Sequence, residues 1–154
     1  MATVYSVQKT KWNQNVPSEK IDTTELAGRV RVAFAEYEAA SLAINDVIQM
    51  FNLPNGARIV SGRLAHDALN SSTQLSVGYA AHTSSAGSTV ALDADAYKAA
   101  ASSASASAAN VANTIALGEN SIVDANKDGL PVSITLTGAN ASGTIQLTMF
   151  YVVD

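Results

Sequence analysis

Few residues in this 154-residue chain have the type and spacing for chemistry, and they are scattered. Asp124, Asn126 and Asp128, followed by Gly129, stand at positions one, three, five and six of a calcium loop, where carboxylate and amide oxygens ligate a hard cation. Position twelve of such a loop needs a bidentate glutamate and here is Thr135, and the flanks alternate like strands. The expectation is a polar turn, with a bound cation as the open alternative. His66 and His82 are the only imidazoles; His66 beside Asp67, with many serines elsewhere, has the ingredients of a nucleophilic triad. No Gly-x-Ser-x-Gly elbow accompanies them, and there is neither cysteine nor a His-x-x-x-His pair to hold zinc.

Two acidic pairs, Glu36/Glu38 and Asp93/Asp95, are spaced two apart. On a strand that spacing puts both carboxylates on one face, about 6–7 Å apart. Glycosidases use comparable separations, but they also need sugar-stacking aromatics. Aromatics make up only 6% of this chain and are dispersed, so a solvated face is the better reading. Asn70-Ser71-Ser72 and Asn140-Ala141-Ser142 match the glycosylation pattern, which means nothing without secretion. The segment from Gly138 to Gly143 reads as a hairpin loop and not as a phosphate cradle, because no helix comes after it. These residues define no enzyme, no catalytic or metal site and no cofactor.

Composition points away from several classes. Charged residues are 14% of the chain, well below the roughly 25% of ordinary domains. Alanine occurs 28 times, against 36 residues of Leu, Ile, Val and Phe together. A disordered chain would be more charged and a coiled coil richer in Glu, Lys and Leu. The net charge of −4 is uneven: residues 1–31 hold five basic and three acidic groups, the remainder four basic and ten acidic. With a pI near 5.0, nucleic-acid binding is not expected. No apolar run is long enough to cross a membrane, and the start of the chain lacks the apolar stretch of a secretory signal, so synthesis in a cytoplasm is expected.

The chain divides into an arm, residues 1–27, and a domain, residues 28–154. The arm carries the only tryptophan, Trp12, beside Lys9 and Lys11; residues 3–8 alternate well enough for a short strand, and Pro17 interrupts any regular element beyond it. From Gly28 onward, strand succeeds strand. Residues 29–39 place Val30, Val32 and Phe34 on one face, as in a half-buried strand. Segments 45–53 and 57–66 flank Pro54-Asn55-Gly56, the mark of a hairpin turn. Residues 72–81, 88–92, about 111–117, 131–138 and 143–154 complete about eight strands. Residues 93–110, almost entirely Ala and Ser in their second half, are expected to hold a short helix at 93–101 and then a loop. Several short strands separated by turn signals indicate an all-β antiparallel sandwich.

Two stretches carry a resemblance. The run from Asp46 to His82 contains Asp-x-Ile, Leu-Pro-x-Gly-Ala and Leu-x-Val-Gly-Tyr, and the run from Asp128 to Asp154 has a Gly/Ala turn, Gly-x-Ile-x-Leu and an aromatic-Val finish. In these features residues 44–154 resemble the capsid decoration (cement) and other small virion structural proteins of tailed bacteriophages. The resemblance implies a jelly-roll-like sandwich with an extended N-terminal arm and a homo-oligomer, a trimer, on the outer capsid surface of the virion. It also implies a mechanical function: bridging neighbouring subunits of the phage major capsid protein. Lys9, Lys11 and Trp12 are then the candidate contact residues toward the capsid or a sister protomer, because tryptophan is enriched at binding hot spots. The alternative is another virion part of the same fold: a head fibre, a tail appendage or a receptor- or glycan-binding domain.

Overall fold

In the computed structural model, residues 3–14, 16 and 20–153 are described. Segment 3–8 is not a strand. Its second half opens helix α1 (Val7–Asn13), capped by Ser6, whose hydroxyl accepts a hydrogen bond from the Lys9 backbone N–H. A capping serine satisfies one of the free N–H groups of the first turn, and here that local bond outweighs three residues of weak alternation. The break at Pro17 lies outside the described residues.

Ten antiparallel strands come next: β1 (Val30–Leu42), β2 (Val47–Leu53), β3 (Arg58–His66), β4 (Gln74–Tyr79), β5 (His82–Thr83), β6 (Thr89–Val90), β7 (Asp93–Ser102), β8 (Ser107–Val111), β9 (Leu130–Thr137) and β10 (Ala141–Val152). The short β5 and β6 form a separate hairpin. The other eight make two sheets, ordered β1-β10-β3-β8 and β2-β9-β4-β7. The pairing has a simple logic. β1 pairs with β10, β2 with β9, β3 with β8 and β4 with β7, as in one long hairpin folded back on itself. Rolling that hairpin up adds the β10–β3 and β4–β9 ladders and closes two sheets face to face. This is the double Greek key of a jelly roll.

The rolling also corrects the two hairpins expected from sequence. Pro54 to Ala57 is a tight turn with Gly56 at φ 77° and the Ala57 N–H donating to the Pro54 carbonyl, but β2 and β3 belong to opposite sheets. The Gly138–Gly143 loop likewise carries the chain from β9 across to β10 in the other sheet. Turn chemistry fixes where a chain reverses; which neighbour each strand takes depends on burial of both apolar faces.

The core lies between the sheets. Leu64, Ile145, Leu147 and Met149 from the first sheet face Ile48, Leu75, Val77, Val132, Ile134 and Leu136 from the second. On β1 the face assignment reverses the simplest reading. Val30, Val32 and Phe34 point outward and are 57–60% exposed, while Ala33 and Ala35 turn toward the core. Ala33 lies opposite Met149 and Ala35 opposite Leu147. Those two large side chains fill the space between the sheets, so only methyl groups fit beside them.

The Ala/Ser stretch forms β7 and β8 instead of a helix. Alanine favours a helix by less than about 1 kcal/mol per residue over most others. A helix here would have no bulky stripe to bury. As strands, the same residues pair with the open sides of β4 and β3 and leave β7 and β8 at the sheet edges.

Candidate contact surface

The residues singled out for catalysis or metal binding are held in structural bonds. The Asp124 carboxylate accepts from the backbone N–H and hydroxyl of Ser85, at 2.9 and 2.6 Å, and these bonds hold it below its ordinary value. Asn126 and Asp128 bond each other, and the Gly129 N–H donates to the Asn126 carbonyl. The segment is a turn that ties down the β5–β6 hairpin, with the Asn126 N–H donating to Thr83. Among the described residues no group of three or more His, Cys, Asp or Glu side chains converges as metal ligands would.

His66 donates from Nδ1 to the carbonyl of Asp67 at 2.8 Å, while the Asp67 carboxylate accepts from the Thr144 N–H. A relay needs that carboxylate on the imidazole. Glu36 and Glu38 do share one face of β1. Each is used across the ladder: Glu36 accepts from Gln146 Nε2 at 2.6 Å and Glu38 from the Thr144 hydroxyl at 2.7 Å. Asp93 and Asp95 open β7, where Asp93 accepts from the Asp95 N–H and faces Tyr79 and Tyr97.

Lys9, Lys11 and Trp12 lie together on α1, a helix with no buried residue. Trp12 is exposed and, with Lys20, Ile21, Thr23 and Leu26, lines a hollow of about 320 Å³. Lys11 Nζ lies 3.4 Å from Glu25, and Glu25 lies 3.7 Å from Arg58 on β3. Partial desolvation pushes the Glu25 carboxyl up, but hydrogen bonds from Lys11 and Gln8 and the charge of Arg58 outweigh it and hold it low. The Glu25–Arg58 contact joins the segment before β1 to the sandwich. Lys9 contributes its backbone N–H to the cap.

A larger surface lies on β1, whose alternation was legible in the sequence although the face it buries was not. The outward face of the first sheet carries Val30, Val32 and Phe34 on β1, with Phe150 of β10 directly opposite Val32. Among the described residues β1 pairs only with β10, so this row runs along a sheet edge. An apolar row on an open edge is an adhesive surface for another chain. Farther along the same face Glu36 and Glu38 replace the apolar residues, which bounds the patch.

The order of these eight strands defines the protein as a jelly roll, a class named for its architecture. Solved structures share it. A chain of the capsid of Ralstonia phage GP4 superposes with a TM-score of 0.64 at 19% identity, covering 82% of this chain and 86% of that chain. A chain of the cyanophage Pam1 capsid asymmetric unit gives 0.61 at 22% identity, over 82% and 86%. A chain of the acid-stable capsid of Helicobacter pylori bacteriophage KHP30 gives 0.54 at 19% identity, over 80% and 87%. No family model and no curated protein matches this chain. At these identities the shared property is the fold.

Proposed function

We propose that this chain is a phage virion structural protein, a decoration or cement protein. On this reading it assembles as a homo-oligomer, a trimer, on the outer capsid surface and braces contacts between major capsid protein subunits, after synthesis in the host cytoplasm. The observation that carries the reading is the exposed Val30-Val32-Phe34 row on an open strand edge of a jelly roll. Chains of that fold stand in three phage capsid structures. Its work is contact, in keeping with carboxylates and histidines engaged in structural bonds. Few charges on the joining faces keep the desolvation cost of assembly low.

The row on β1 is the principal contact, and Lys9, Lys11 and Trp12 on α1 are an auxiliary one. Val32→Asp with Phe34→Ser is expected to leave the folded strand content unchanged by circular dichroism. The same double variant should dissociate the oligomer, read by light scattering on a sizing column, and lose binding to expanded capsids in a sedimentation assay. A wild-type chain that is monomeric and does not bind expanded shells would overturn the proposal. Replacing Lys9, Lys11 and Trp12 together by Ala should weaken shell binding less than the β1 variant does.

A further inference from the structure

A pocket of about 460 Å³ opens where the end of β4, the start of β7 and the segment 115–124 meet. Its polar groups include Tyr79, Tyr97, His82, Asp93 and Asp124, and no lysine or arginine lines it. Tyr97 is the notable wall. The residue is 5% exposed and lines the pocket; its hydroxyl, like that of Tyr79, makes no hydrogen bond to the described residues and is left to water. Burial, with Tyr79 and Asp93 nearby, pushes the Tyr97 phenol far above its ordinary range, so it stays protonated. Asp93 has one carboxylate oxygen on the Asp95 N–H and no ion pair among the described residues.

The groups lining the pocket define the chemistry of a ligand for it. An anion is disfavoured by two carboxylates and the absence of lysine and arginine from the lining. A sugar ring needs a free aromatic face to stack on, and both tyrosine rings already have aromatic neighbours. The Tyr97 ring is packed so closely on Gly118 that a Cβ there would come within 2.9 Å of its carbons. Tyr79 is wedged edge-on to His82, with ring centroids 5.3 Å apart, and tilted against Tyr97 at 6.1 Å. Two phenolic oxygens, one carboxylate oxygen and aromatic edges close to a negative charge remain available, a set suited to a cationic head group. At the opening stand bare aliphatic side chains: Ile115 is 89% exposed at the start of a 3-10 turn, with Ile122 also exposed. An aliphatic rim beside a cation-selective hollow fits a protein segment better than a free ion.

We propose that this pocket receives an arginine or lysine side chain of a partner protein, its cationic head against Asp93 and the two phenolic oxygens and its aliphatic neighbours against Ile115 and Ile122. The site is separate from the β1 row and does not depend on the capsid reading.

The test uses the isolated full chain and three probes: N-acetyl-Leu-Arg-Leu-amide, ethylguanidinium and methyl glucoside. Binding is followed through the tyrosine ring resonances and by calorimetry. The peptide is expected to bind about tenfold or more tighter than ethylguanidinium, and Asp93→Asn and Tyr97→Phe each to weaken it by about tenfold. Ile115→Ser should remove the advantage of the peptide over ethylguanidinium. Three results overturn the proposal: peptide binding no tighter than that of ethylguanidinium, glucoside binding tighter than either, or no response at millimolar peptide. Peptide affinity unchanged by Asp93→Asn, which alters neither size nor packing, overturns it as well.

Discussion

Gly78 sits one residue before the end of β4 with its missing side chain facing away from the core. Over that spot passes the backbone of Asp93 and Ala94, so a Cβ would overlap the Asp93 carbonyl oxygen. Only glycine lets the start of β7 lie across β4 in this way, and that crossing is what brings Asp93 to the two tyrosines. Gly78→Ala is therefore expected to destabilise the protein by about 3 kcal/mol, the cost of overpacking against an immovable backbone. A drop in the urea midpoint would register it, together with altered Tyr97 ring resonances. An unchanged midpoint would mean that β7 does not cross there. The sequence shows Gly78 inside an alternating Leu75-Val77-Tyr79 strand, which is correct, but alternation says nothing of a second strand pressing from outside. The same holds for the candidate catalytic groups: their types were plain, whereas Ser85 on Asp124 and Gln146 on Glu36 are partners 39 and 110 positions away.

At the scale of elements, the strands with bulky alternation were legible, and the ones built from small residues were not. β9 and β10 match the sequence reading nearly residue for residue, because Val132, Ile134, Leu136 and then Ile145, Leu147, Met149 each leave one buried face. β7 and β8 have no such signature. Their strand state is imposed by β4 and β3, whose edges need partners, against the intrinsic preference of alanine. A peptide of residues 93–110 is expected to show no strand signal by circular dichroism in water and some helix in trifluoroethanol. Strand structure in the free peptide would show the preference to be local after all. Which face of β1 is buried was not legible for a related reason. Alternation identifies two faces, but Ala33 and Ala35 win the inside because Met149 and Leu147 already occupy it.

For the whole molecule, stability rests on the sandwich. Helix α1 buries nothing, and Lys11–Glu25–Arg58 is a pair of partly exposed ion contacts of the kind that adds little stability. A chain beginning at Gly28 is therefore expected to melt within a few degrees of the full chain in calorimetry. A large drop would show that the segment before β1 is part of the folding unit. Leu147→Ala, by contrast, empties the centre of the core and is expected to cost about 3 kcal/mol. The nested pairing has a consequence for how such a protein is made. β1 leaves the ribosome early, yet its one ladder partner, β10, begins at Ala141, roughly 100 residues later. At about 5–20 residues per second, β1 waits some 5–20 seconds for that partner, with its ladder edge and inner face uncovered. An alanine-rich inner face keeps the waiting strand less adhesive than a leucine-rich one would be. The same residues that make room for Met149 and Leu147 in the finished roll thus also shelter the nascent chain from premature association.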